Sequence, residues 1–266
     1  MNLVKNDLFQ VKIDDLSDTG EGIGKVDGFT WFIKDAIIGD VVEAKVMKTK
    51  KSYGFARLIK VMEPSAYRVE PRCKVARQCG GCQLQAMDYQ EQLRYKENKV
   101  LNNLKRIGGF ANFVRGDVGE DADAGVGAEG AIAVYPIIGM DDPWRYRNKA
   151  QFPFGRDKEG KLITGFYAGR THSITPQDDC LLGVEENQVI LSCVKEFMED
   201  FKIAPYDEEN HRGIMRHVLI RKGFRTGELM VCLVVNGSAR DLKKTEVLVE
   251  RLVSLFGAAA STFAGV

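Results

Sequence analysis

Gly39-Asp40-Val41-Val42-Glu43-Ala44-Lys45-Val46-Met47-Lys48 is a turn dipeptide followed by alternation: Val42, Ala44 and Val46 are apolar, with charged Glu43 and Lys45 between them. Side chains along a strand point to opposite faces, so one face of this segment is buried and the other is wet. The same short-run pattern, broken by glycine and aspartate, extends from Leu8 to Met62. It places strands at about 8–14, 20–26, 28–34, 41–48 and 53–62, which predicts a small antiparallel barrel of the OB type. Pro64 and Pro71 mark its exit.

The 266 residues are 44% hydrophobic and 28% charged, with a formal net charge of +1. That balance excludes a global attraction to polyanions, so any nucleic-acid surface has to be local. The start MNLVKNDLFQ lacks the apolar core of a secretory signal, and no apolar run approaches the ~20 residues of a membrane span. The expectation is a cytoplasmic protein with no membrane association and no obligate protein partner. The length accommodates two units. We place the barrel at 1–64 and a second domain at 65–266.

Within the second domain, 88–107 reads as a helix. Asp88 and Glu91 form a capping box, Leu93, Val100, Leu101, Leu104 and Ile107 recur at helical spacing, and Gly108-Gly109 stops it. Arg94, Lys96, Lys99, Lys105 and Arg106 line its other side as a solvated face. The acidic, small-residue stretch 116–133 predicts a flexible insertion. Its Gly125-x-Gly127-x-x-Gly130 follows no strand, so it is not read as a dinucleotide site. Beyond Pro136, strand-like runs at about 144–154, 162–168, 214–222 and 228–236 alternate with helices at about 185–201 and 241–256. The fold class is α+β: a barrel, then an α/β domain with a largely antiparallel sheet. The tail Ser261–Val266 starts like a strand and reads as cut short.

Of the six cysteines, three lie in "RCKVARQCGGCQ", residues 72–83. A reducing compartment favours metal ligands, redox chemistry or buried thiols over disulfides. Cys193 and Cys232 sit in apolar runs and read as core thiols. Cys180 follows the polar loop Pro176-Gln177-Asp178-Asp179, where a thiol has no packing reason to be. Cys73, Cys79, Cys82 and Cys180 are therefore the metal-ligand candidates. Three clustered thiols and one remote thiol suit an iron-sulfur cubane better than zinc, although zinc and a set of unrelated thiols both remain open. Gly80-Gly81 would turn backbone N–H groups toward the cluster sulfides.

The segment "CKVARQCGGCQLQAMDYQEQLRYKENKV" resembles the cluster-binding region of the iron-sulfur RNA uracil-C5 methyltransferases, which include the 23S rRNA (uracil-5-)-methyltransferases. "YRNKAQFPFG" (146–155) and "GFYAGRTHSITPQDDCLL" (165–182) agree, the latter supplying Cys180, and the first sixty residues resemble a TRAM domain. The resemblance implies a [4Fe-4S] cluster on the four cysteines, an RNA substrate and S-adenosylmethionine as methyl donor. It also implies a Rossmann-like domain with a catalytic cysteine, and nothing here matches either. Addition of a thiolate at C6 and removal of the C5 proton need groups this chain does not offer, so no catalytic or S-adenosylmethionine-binding residue is assigned. The expectation is the N-terminal part of such an enzyme, inactive alone, with its catalytic domain missing after 266.

RNA contacts are expected where cations and aromatics occur together. Strand alternation over 144–154 puts Arg145, Arg147 and Lys149 on one face, with Trp144, Tyr146, Phe152 and Phe154 on the other. Lys48, Lys50, Lys51 and Tyr53 form a basic loop entering an aromatic strand. Arg216-His217 and Arg221-Lys222 could extend this surface, and the three histidines show no ligand spacing. The reading is an RNA-positioning portion of a 23S rRNA methyltransferase. Its rivals are the same chemistry on tRNA, a stand-alone iron-sulfur RNA-binding module, and a radical or redox enzyme, the last disfavoured by the cysteine spacing.

Overall fold

The computed structural model describes residues 3–115, 132–169 and 171–257. The chain divides into two compact units, Met1–Glu70 with Gln83–Asp142, and Pro71–Cys82 with Pro143–Val266. The expected boundary near residue 64 does not coincide with this division, because Pro71–Cys82 groups with the second unit while the helix that follows groups with the first.

In the first unit, β1 (Leu8–Lys12), β2 (Asp15–Leu16), β3 (Gly22–Val26), β4 (Phe29–Lys34), β5 (Val41–Thr49) and β6 (Tyr53–Glu63) form one sheet in the order β1-β5-β6-β4-β3-β2. All five expected strands are present, and β2 adds a two-residue edge. The sheet is not wholly antiparallel as expected: β4 and β6 run parallel, since β5 flanks β6 on its other side and returns the chain in the direction of β4. The alternation read at 41–48 is observed, with Val42, Ala44 and Val46 fully buried against Trp31 and Ile33. A Cβ on Gly54 would lie 2.3 Å from the Trp31 ring, so only glycine lets the indole fill that space. A Cβ on Gly24 would lie 2.4 Å from the Lys12 carbonyl oxygen, and the Asp14 N–H donates to Ile23 O at 2.8 Å, so the β1 end of the sheet approaches β3.

Fully buried Asp40 ties off the exit from this sheet. Its carboxylate accepts from the N–H of Ile37 (2.9 Å) and of Ser65 (3.0 Å), and from Arg68 Nε (2.9 Å) and Nη2 (2.5 Å). Helix α1 (Tyr89–Arg106) is capped by Asp88, whose side chain accepts from the N–H of Gln90 and Glu91. The second half of the expected capping box does not form: Glu91 pairs with Arg94, and the Asp88 N–H goes to Tyr67 O. No residue of α1 is buried, and Val100 and Ile107 are exposed, so its apolar spacing marks a half-covered stripe. Short strands β7 (Phe113–Arg115) and β8 (Ile132–Val134) pair in parallel. Ile132 and Ala133 of the expected flexible insertion are thus in a strand, while 116–131 lie outside the described residues, as does the expected strand start at 261–266.

The second unit holds a fully antiparallel sheet of β9 (Lys149–Arg156), β10 (Leu162–Tyr167), β11 (Ile174–Pro176), β12 (Met215–Lys222) and β13 (Leu229–Val235), in the order β11-β10-β9-β12-β13. Helices α2 (Glu186–Asp200) and α3 (Thr245–Phe256) cover one face, where Phe152, Phe154, Ile190, Phe197, Val218 and Ile220 form the core. Two expectations are corrected here. Cys193 is buried, but Cys232 is exposed: within the apolar run of β13, Val231 and Leu233 pack on the core and the even-numbered residues point away. And the strand expected from 144 begins only at Lys149, because Arg145 takes a left-handed backbone (φ 54°) that breaks the alternation.

No helix of the described residues is long and apolar enough to cross a membrane.

Candidate functional site

Cys73, Cys79, Cys82 and Cys180 all lie in the second unit, half-buried and free of disulfides. Residues 73–79 form tight turns, with Ala76 N–H to Cys73 O at 3.1 Å and Cys79 N–H to Val75 O at 2.8 Å. Cys79 bridges to Ala168 at the end of β10, and the Gly80 N–H donates to Tyr167 O at 3.0 Å. A Cβ on Gly80 would lie 3.0 Å from both Gly169 Cα and Tyr167 O, so glycine permits this seating. The next amide, Gly81 N–H, points at Cys79 Sγ (3.4 Å). From the other side, Gln177 Nε2 lies 3.8 Å from Cys73 Sγ and donates to Asp179 O. One side-chain amide therefore joins the first thiol to the peptide that precedes Cys180. Among the described residues, no group of three or more His, Cys, Asp or Glu is arranged to hold a metal ion.

Arg145 holds the Cys180 turn. Its guanidinium grips Asp179 with two parallel bonds (2.5 and 2.9 Å) and also donates to Cys180 O and Gly183 O, both at 3.2 Å. Its backbone N–H donates to Leu181 O, and the Arg147 N–H to Leu182 O. The hydrogen bond from Arg145 keeps the Asp179 carboxyl below the usual carboxylate range. Beside it, Arg72 stacks over the Trp144 ring at 4.7 Å. Asn187, at the start of α2, is 1% exposed, and neither polar atom of its amide has a partner among the described residues. A Cβ on Gly183 would lie 2.5 Å from its Nδ2, and the Gly183 N–H closes the turn onto Cys180 O at 2.8 Å.

Arg145, expected among the RNA contacts, spends Nη1 and Nη2 bonds on Asp179 and two carbonyls. Arg145→Ala would take these bonds from Asp179 and Gly183 O, while Cys180 O keeps the Gly183 N–H. We expect a loss of roughly 1–2 kcal/mol in the second unit, after discounting the partly exposed pair for solvent screening, with Arg145→Lys between the two because it lacks the planar fork. Thermal unfolding followed by near-UV circular dichroism reads this loss.

Arg147 and Lys149 are exposed, and across the ladder Lys149 faces Arg221. Lys222 is paired with Glu186, and Arg216 lies over the Tyr206 ring and beside Glu208. His172 meets Glu208 at 3.0 Å, and His211 meets Tyr206 Oη at 3.0 Å. Burial holds the His217 imidazole below its usual range, with the Arg216 charge acting in the same direction.

In the first unit, Lys48, Lys50, Lys51 and Tyr53 are exposed where β5 turns into β6. The Tyr53 ring is one of a mutually touching trio with Phe32 (5.7 Å) and Phe55 (5.6 Å), and Phe32 and Phe55 lie 5.6 Å apart.

Residues 6–59 match the TRAM domain. An uncharacterized RNA methyltransferase of Halalkalibacterium halodurans is 46% identical over 93% of this chain and 49% of its own length. A second from Clostridium tetani is 39% identical over 93% of this chain and 49% of its own. The chain thus spans about half the length of the curated relatives it matches. Among solved structures, the Pyrococcus abyssi tRNA (uracil-54, C5)-methyltransferase in complex with S-adenosyl-L-homocysteine is similar in fold. Its TM-score is 0.59 at 23% identity, over 90% of this chain and 48% of that one.

Sequence reading missed Gln177, Asp179 and Asn187 around the cysteines and Phe32 beside Tyr53. Asp179 and Gln177 stand in the polar loop that drew attention to Cys180, but nothing local says that Arg145 will fold onto them.

Proposed function

We propose that this chain is the RNA-positioning portion of an S-adenosylmethionine-dependent RNA uracil-C5 methyltransferase acting on 23S rRNA in the cytoplasm. The observation that carries the reading is the alignment of 93% of the chain with relatives named RNA methyltransferase, led by a TRAM match. The nucleophile for C6, the base for the C5 proton and the site for the methyl donor are assigned to the part of the relatives that this chain does not span. Within this reading the first-unit sheet closes as an OB-type barrel. The chain's own residues bind and orient RNA, with Lys48, Lys50, Lys51, Tyr53, Arg147 and Lys149 as contacts.

The four cysteines are proposed to hold a [4Fe-4S] cluster. It would supply a rigid cross-link between Pro71–Cys82 and the Cys180 turn, since methyl transfer needs no electron from it. The donor set supports this: four cysteines outside any disulfide in one unit, a Gly81 N–H turned to Cys79 Sγ, a Gln177 amide at Cys73, and the buried amide of Asn187 behind the Cys180 turn. N–H donors of this kind stabilise thiolate-ligated anionic clusters.

Mapping 5-methyluridine in 23S rRNA and in tRNA, from cells with and without the full-length gene, tests the function. Loss of at least one 23S methyluridine is expected. Loss confined to tRNA would overturn the 23S assignment, and no loss in either would overturn the methyltransferase reading.

A further inference from the structure

Gln177 follows directly on β11, and the sheet fixes its backbone. Its N–H donates to Thr164 O at 3.0 Å, which carries the pairing of β10 with β11 one residue further. A Cβ on Gly165 would lie 2.7 Å from the Gln177 nitrogen, so glycine there permits the close approach. The next two residues are anchored as well, Asp178 to Lys195 of α2 at 2.7 Å and Asp179 to Arg145 at 2.5 Å. The half-buried Gln177 side chain therefore projects from a rigid base.

Its amide nitrogen carries two hydrogens and has two acceptors in reach, Asp179 O at 2.5 Å and Cys73 Sγ at 3.8 Å. The carbonyl fixes which end of the amide faces this way, because Oε1 in the same place would meet another acceptor at 2.5 Å. A donor beside a sulfur acts most strongly when the thiol is ionised, the state that ligation to a metal requires.

We propose that Gln177 is a positioning residue for the cluster assigned above to Cys73, Cys79, Cys82 and Cys180, and that it raises the reduction potential of that cluster. One N–H donates to the Cys73 thiolate; the other holds the peptide that precedes Cys180. The role rests on the cluster reading and adds to it a residue that is not a ligand. Reduction by one electron places more negative charge on a centre that already carries its thiolates, so a donor to ligand sulfur stabilises the reduced form more than the oxidised one. The same preference opposes loss of an electron to dioxygen. For a centre that serves as a cross-link, the benefit is retention.

The test uses the 266-residue chain purified anaerobically, with electron paramagnetic resonance followed through a dithionite titration. Gln177→Leu removes both donors, and Gln177→Glu puts a carboxylate of the same length in their place. Both variants should keep about four iron atoms per chain. The reduction equilibrium constant of Gln177→Leu should fall about three- to tenfold, ~28–59 mV for one electron, and that of Gln177→Glu further. Visible absorption should bleach faster in air for both. Asp178→Asn with Lys195→Met is the control: it removes the neighbouring anchor of the same turn at unchanged net charge, so it should lower thermal stability and leave the midpoint where it is. Wild-type midpoints in both Gln177 variants would overturn the proposal, as would an equal shift in the control. Iron-free Gln177 variants would also overturn it, because the residue would then be needed only to build the turn. The two readings separate cleanly: a wild-type chain with neither iron nor sulfide defeats the cluster and this role with it, whereas a loaded wild type with unmoved variants defeats only the role of Gln177.

Discussion

On the proposed ligation, replacing Cys180 with serine lowers the iron of the purified chain from about four atoms to close to none and abolishes the visible absorption a cluster would give. A hydroxyl stays protonated where a thiol ionises, and an oxygen donor is a poor match for an iron-sulfur core. The same loss is expected for Cys73, Cys79 and Cys82. The effect on stability should be large, because the proposed centre closes a loop of about a hundred residues between Cys82 and Cys180. A cross-link over that span contributes ~4–5 kcal/mol on the chain-entropy estimate made for disulfides. The remaining two cysteines are internal controls. Cys193 is buried in α2, so serine there costs stability without releasing iron; Cys232 is exposed on β13, so serine there should change neither. Iron analysis with thermal unfolding across the six variants separates the two classes, and iron retained by Cys180→Ser would contradict the ligand assignment.

The second large effect is expected at Asp40. Its carboxylate has no exposed surface and satisfies two backbone N–H groups and the Arg68 guanidinium at once. Asp40→Ala leaves Arg68 with an uncompensated charge in a part-buried site and two orphaned amides. Breaking a buried pair from one side typically costs about 3–5 kcal/mol. Removing both partners, as in Asp40→Ala with Arg68→Met, should recover part of that loss because the unpaired cation is gone. Each unit holds one of the two tryptophans, Trp31 in the first and Trp144 in the second. With Trp144 replaced by phenylalanine, urea unfolding followed by Trp31 fluorescence reads the first unit. A loss below about 1 kcal/mol would contradict this role for Asp40.

The first sheet was legible because its strands are half-buried and alternate cleanly. Val42, Ala44 and Val46 point inward, and nothing in the local backbone interrupts the period. The parallel pairing of β4 with β6 was not legible, and with it the neighbourhood of Phe32 and Phe55, because register between strands far apart in sequence leaves no local trace. In the second unit the same rule misled twice. The apolar run 229–235 has no polar residue to mark its outer face, so Cys232 read as core. At 144–148 the sequence carries a strand-like alternation, but the left-handed Arg145 turns the chain there and sends its guanidinium to Asp179. Sequence chemistry identifies Cys180 as out of place in a polar loop; only the fold brings Gln177 to Cys73 and Asn187 behind the turn.

The measurement that bears most directly on the central claim is quantification of iron and acid-labile sulfide in the anaerobically purified chain, with electron paramagnetic resonance before and after chemical reduction. The account predicts about four of each per chain and a signal that appears on reduction by one electron. One zinc per chain without sulfide, or no bound metal at all, would contradict it.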